Sequence, residues 1–105
     1  MYNKFYSHIF SVEPVHEKFA SLELNESEKS ELLELLHSNI HYAVIDVVLS
    51  ELDEDRKKEF LHILVVKGDN DAAWGFVETN ITDAKNKLLN SINPIVEEFL
   101  KDLEE

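Results

Sequence analysis

Glu-x-x-His occurs twice in the middle of the chain, as Glu34 with His37 and Glu59 with His62, and once earlier, as Glu13 with His16. On a helix, residues three apart share a face, so a carboxylate and an imidazole at that spacing can hold one divalent cation between them. His37 and His41, one turn apart, form a second arrangement suited to such an ion. With 15 glutamates among 105 residues, chance gives five histidines roughly 0.7 such partners, so three is an excess. Carboxylate-bridged iron proteins use these pairs on two helices, with a glutamate from each of two others, all aimed inward. Here the aim differs. Helical spacing sets Glu34 and His41 opposite the apolar series Leu32, Leu36 and Ile40 and puts His37 at its edge, while Glu59 and His62 alternate with Phe60, Leu61 and Leu64. The expectation is a solvated face with no resident metal or other cofactor. A metal-binding helical protein using Glu34, His37, His41, Glu59 and His62 is the alternative.

Other chemistry has less to build on. The chain has no cysteine, which removes disulfides, thiolate zinc sites and cysteine nucleophiles and fits a reducing compartment. Serines occur at Ser7, Ser11, Ser21, Ser27, Ser30, Ser38, Ser50 and Ser91, none of them in a Gly-x-Ser-x-Gly elbow, and no glycine-rich loop could cradle a phosphate. An enzyme is not expected. With 22 acidic against 10 basic residues and a net charge of −12, the chain should be repelled by nucleic-acid backbones and anionic lipid surfaces. Its one basic cluster, Arg56-Lys57-Lys58, lies between Asp55 and Glu59. The opening MYNKFYSHIFSVEP lacks the basic start and apolar run of a secretory signal, and no continuous apolar run reaches ~20 residues. A cytoplasmic protein off the membrane is expected.

The elements that would carry these residues are helices. Two glycines and two prolines punctuate 105 residues, and apolar positions recur every three or four. Tyr2, Phe5, Tyr6, Ile9 and Phe10 mark one face of a short first helix, and Pro14 suits the opening of a second bearing Val15 and Phe19. Asn25 followed by Glu28 predicts a capping box and a long helix from about Glu26 to Glu51, roughly 39 Å at 1.5 Å per residue. Leu52-Asp53-Glu54-Asp55 caps a third helix that stops at Lys67-Gly68, although Val65-Val66 would also suit a short strand. Asp69 or Asn70 caps a fourth bearing Ala73, Trp74, Val77 and Ile81. Thr82 caps a last one, with Leu88, Ile92, Ile95, Phe99 and Leu103 on one side and a kink before Pro94. The fold class is therefore all-α, a compact single-domain bundle of about five helices over residues 1–105, with one long central helix and a kinked C-terminal helix. Residues 1–24 form an aromatic helix and turn, and 25–105 the main bundle. At this length a globule has a radius of gyration of roughly 13 Å.

Two surfaces could bind a partner. The aromatic face Tyr2, Phe5, Tyr6, Ile9 and Phe10 either docks in a groove of another protein or closes the chain's own core. Trp74 and Phe76 read the same way, with core burial the plainer choice. The long helix also carries Leu35, Tyr42, Ile45, Leu49 and Leu52 on its far side, with Ser38 in the gap of a seven-residue repeat. Such a helix is covered on both sides, within its own bundle or by a second chain. A monomer is expected ahead of a homodimer.

From Leu22 to Leu103 the order of a long apolar helix, LSELDEDRKKEF, a glycine-terminated helix, a short aromatic helix and NITDAKNKLLNSINPIVEEFLKDL resembles a small family of acidic, all-helical bacterial proteins carrying a domain of unknown function. The resemblance implies a bacterial helical protein and brings no site with it. The function expected is a protein–protein interaction or regulatory adaptor module. The acidic runs ELDEDRKKE and DLEE support another alternative, an acidic mimic of nucleic acid that inhibits a basic partner.

Overall fold

The structure, a computed structural model, describes residues 4–11 and 13–103. Five α-helices carry most of it: α1 (Glu13–Ser21), α2 (Glu26–Glu51), α3 (Glu54–Leu61), α4 (Asn70–Asn80) and α5 (Ala84–Leu103). No strand occurs among the described residues. Local chemistry explains most boundaries. The Asn25 side chain accepts from the backbone N–H of Glu28 at 2.8 Å, and the Glu28 carboxylate accepts from the Asn25 N–H at 3.2 Å. Two donors without a partner in the first turn of α2 are thereby satisfied. Leu52 leaves the helix in an extended conformation, and Asp53 caps α3 by accepting from the Arg56 N–H at 2.9 Å.

The third segment departs from the expected single helix. After Leu61 it widens into a π-helical turn, His62–Lys67, which ends at Gly68 with φ 61°. That left-handed conformation is open to glycine at little cost. Ile63 and Leu64 lie half-buried against the core, while Val65 and Val66 turn outward in a helical turn, not in a strand. Asp69 caps α4, accepting from the Ala72 N–H at 3.1 Å. The start of α5 also differs. Asp83, with φ 56°, precedes the helix in place of the expected Thr82 cap, and its carboxylate accepts from the Asn86 side-chain amide at 2.8 Å. Beyond that, α5 runs unbroken through Pro94.

The core follows the four-residue steps of the sequence. Leu36, Ile40, Val44 and Val48 of α2 are buried, as are Ala84, Leu88 and Ile92 of α5, and α2 and α5 form the main helix pair. Phe60, Ala73, Val77 and Ile81 join the same core, and Phe5, Tyr6, Ile9, Val15 and Phe19 pack with it, Phe5 against Phe60 and Phe19 against Phe99. Burying each large apolar side chain contributes roughly 1.5–3 kcal/mol before entropy is counted. Because α2 is a 26-residue rod, the protein measures 48 × 24 × 18 Å with a radius of gyration of 15.2 Å, more elongated than a globule of this length.

Candidate functional site

Glu34, His37 and His41 stand along one flank of α2, where an open cavity of about 630 Å³ is lined by them with Lys4, Ser30, Ser38 and Tyr42. Glu34 points to solvent, and the two imidazoles are half-buried. The Tyr6 ring stacks on His41, with centroids 6.0 Å apart and planes at 27°, and its hydroxyl lies 3.2 Å from His41 Nδ1. Burial, and then the neighbouring charge of His16 on α1, hold the His37 imidazole below its ordinary value. Burial, and then Lys4, do the same for His41. This environment disfavours an imidazolium and keeps the rings neutral, the form in which histidine binds a metal.

The structure does not assemble a metal centre from the candidates. Glu59 and His62 are exposed, at the end of α3 and the start of the π-helical turn, while the other pair lies on α2. Among the described residues no group of three or more His, Asp or Glu side chains is placed to share an ion. Helical spacing brings Glu34 close to His37 along one face, but it does not provide the third and fourth ligands that a tight site needs.

The aromatic residues have a different place from an exposed docking face. Tyr2 lies outside the described residues. Phe5 and Tyr6 are buried, Ile9 nearly so, and Phe10 half-buried. In place of a short α-helix, the stretch folds as a turn followed by the 3-10 turn Ser7–Ile9. Phe5 packs edge-on against Tyr6 at 5.1 Å and against Phe60 at 5.5 Å, geometries that aromatic quadrupoles favour. Phe5, Tyr6 and Ile9 thus close the chain's own core. On the far side of α2, Ile45 and Leu49 are half-buried against the core and Leu52 is buried, whereas Leu35 is 55% and Tyr42 74% exposed. The second apolar side of α2 is therefore covered from Ile45 to its C-terminal end and open at Leu35 and Tyr42.

The most exposed apolar surface is one that sequence periodicity did not single out. Leu61 is 40%, Val65 73% and Val66 70% exposed. In a π-helical turn the repeat lengthens towards i to i+5, so the residues four and five beyond Leu61 both lie over it. By this geometry the three form a ridge on one turn, flanked in the sequence by the exposed Lys58 and Lys67. An open cleft of about 1080 Å³ is lined by Lys4, His8, Lys67, Asp69, Trp74 and Glu78 among others. His8 meets the Trp74 ring edge-on there at 4.6 Å. The run of two valines before Lys67-Gly68 was the available signal. It was ambiguous because an α-helix continued at that point would have turned the two valines to different sides.

By length and composition α2 is also apolar enough to cross a membrane, a test that the core helix of a bundle passes as well. Its buried series Leu36, Ile40, Val44 and Val48 packs within the protein. No protein-family model matches the chain, and no curated protein or solved structure matches it.

Proposed function

We propose that the protein works by protein contact, as a monomeric interaction or regulatory adaptor module. The observation that carries this reading is the ridge of Leu61, Val65 and Val66, three exposed apolar side chains on one turn. Its surroundings are charged residues, and apolar surface of this kind marks contact sites more often than it marks chemistry. The ridge stands on a helical turn that Ile63 and Leu64 pack against the core and Gly68 closes, so little order has to be gained on binding. Support from the α2 flank is smaller, since Tyr42 and Leu35 offer two separate side chains.

The net charge of −12 favours a second reading, an acidic mimic of nucleic acid directed at a basic partner. The two differ in salt dependence. A photo-crosslinking amino acid at position 65 would trap the partner of the ridge. Binding of that partner is expected to be lost with Val65→Asp and to change little between low and high salt. Binding that survives Val65→Asp and collapses with salt would replace the ridge by the acidic surface, because exposed charge is screened over ~10 Å at 0.1 M.

A further inference from the structure

Between the two helices of the main pair, α2 and α5, a groove of about 350 Å³ stays open. Leu35 and Asn39 of α2 line it with Ile95, Glu98, Phe99 and Asp102 of α5. The four α5 positions fall three, four and seven residues apart from the first, so they share one face over two turns. Leu35 is 55% exposed, Ile95 and Phe99 are half-buried, and Glu98 and Asp102 are exposed. The groove thus combines an apolar lining from both helices with a carboxylate rim on α5. Neither carboxylate enters an ion pair among the described residues. Lys101 is the cation beside them, in a neighbouring cavity that it lines with Glu97, Glu98 and Asp102, so negative charge prevails. We propose that the groove seats a basic amphipathic helix of another protein, with its apolar side chains between Leu35 and Phe99 and its lysines or arginines on Glu98 and Asp102.

Charge selects the occupant. In a chain of net charge −12, unpaired carboxylates beside an apolar lining draw in a cationic segment and repel an acidic one. Shape selects a helix. A groove between two packed helices receives the apolar face of a third, whereas an extended peptide would need a sheet edge to pair with, and no strand occurs among the described residues. The volume is at the low end for small-molecule pockets, which run roughly 300–1,000 Å³, and suits side chains projecting from a backbone that stays outside. An apolar centre with a polar, exposed rim is also the usual anatomy of a protein interface. The lining is already in place, since Phe99 is held by Phe19 of α1 at 6.4 Å and Ile95 packs against the core, so little order is lost on binding. The groove shares no residue with the ridge of Leu61, Val65 and Val66, and either site can fail without the other. It also differs from nucleic-acid mimicry, which needs the carboxylates and has no use for Leu35 or Phe99.

The probe is a synthetic peptide of about four helical turns, built from leucine and lysine in amphipathic order, beside a second peptide of the same composition in scrambled order. Fluorescence anisotropy measures binding to the whole chain, and NMR amide shifts locate it. The amphipathic peptide is expected to bind about tenfold more tightly than the scrambled one, with shifts centred on positions 35, 39 and 95–102. Leu35→Asn is expected to weaken it about tenfold, and Glu98→Gln with Asp102→Gln about fivefold. All three positions are exposed, so an unchanged melting temperature confirms that the variants fold. Val65→Asp is expected to leave binding as it is, which separates the groove from the ridge. Equal binding of the two peptides would mean general attraction to an acidic chain and overturn the proposal. Shifts centred elsewhere, or binding indifferent to Leu35→Asn, would overturn it as well. A wild-type mass that doubles at the concentrations used and returns to the monomer in Leu35→Asn would make the occupant a second copy of this chain, and that too rejects a basic helix from another protein.

Discussion

The hydroxyl of Tyr6 lies 3.2 Å from Nδ1 of His41, so two residues 35 positions apart join the N-terminal stretch to the flank of the longest helix. Tyr6 is fully buried, stacked on His41 on one side and on Phe10 at 6.1 Å on the other. Its ring and its hydroxyl therefore contribute separately. Tyr6→Phe keeps the ring and removes the hydrogen bond to His41, at an expected cost of about 1 kcal/mol. Tyr6→Ala leaves a cavity among Phe5, Phe10 and His41, at roughly 3–5 kcal/mol. Denaturant midpoints for the two variants check the ratio; similar losses would mean that the hydroxyl, not the packing, dominates.

Stability should rise with pH in two windows. His37 and His41 are depressed in the folded state, so the unfolded chain binds more protons, and their contribution is present above pH 6.5 and declines below it. Asp53 is also depressed, first by the Arg56 backbone N–H that it caps and further by the Arg56 side chain. Its contribution is present above the ordinary carboxylate value of 3.8 and is lost as pH falls through the lowered one. Acidification also relieves the repulsion of a −12 chain, an opposing trend that the wild type and its variants share. The measurement is therefore the difference in urea midpoint between the wild type and the His37→Gln, His41→Gln variant from pH 5 to 8. A difference that does not vary with pH would remove the histidine contribution.

Asn25→Ala should cost about 1 kcal/mol, because it leaves the Glu28 N–H of α2 without its cap and takes away one half of a reciprocal pair. A loss of that size lowers the melting temperature by roughly 4–8 °C for a domain near this size. Asn25→Asp keeps the acceptor and adds favourable charge at a helix start, so its melting temperature should stay close to the wild-type value. Calorimetry on the two variants separates capping from a general effect at position 25.

Helix boundaries set by side-chain chemistry were legible in the sequence. Asn25 and Glu28 fix the start of α2, Asp53 the start of α3, and Gly68 the end of the π-helical turn, because each acts on backbone groups within four residues of itself. The all-α class followed from the same local signals and from the spacing of Leu36, Ile40, Val44 and Leu88, Ile92. Contacts between distant residues were not legible. Nothing in the pattern links Tyr6 to His41, since that pair depends on how the N-terminal stretch folds back. The π-helical turn was hidden for another reason. A change of hydrogen-bond register from i+4 to i+5 leaves hydrophobic spacing almost unaltered over six residues, so Val65 and Val66 read as a helix end or a strand. The Glu-x-x-His pairs show the converse. Their spacing was real, but the pairs lie on separate elements.

The far face of α2 discriminates between a monomer and a paired helix, because its members differ sharply in exposure. Tyr42 is 74% exposed, while Ile45, less than one turn on, is half-buried against the core. In a monomer, Tyr42→Glu replaces one solvated side chain by another and should change stability by no more than about 0.5 kcal/mol. Ile45→Glu instead carries a carboxylate towards apolar neighbours and removes their contacts, which should destabilise by several kcal/mol. If Leu35, Tyr42 and Leu49 formed the seam of a two-stranded pairing, Tyr42→Glu would set like charges across the symmetry axis and dissociate the pair. Light scattering of the wild type and Tyr42→Glu, with circular dichroism of Ile45→Glu, separates the outcomes. The expected result is one monomeric mass for the wild type and Tyr42→Glu and a marked loss of helix stability for Ile45→Glu. A wild-type mass that halves in Tyr42→Glu would instead make α2 a dimer helix, since the substitution removes no contact within the chain's own core.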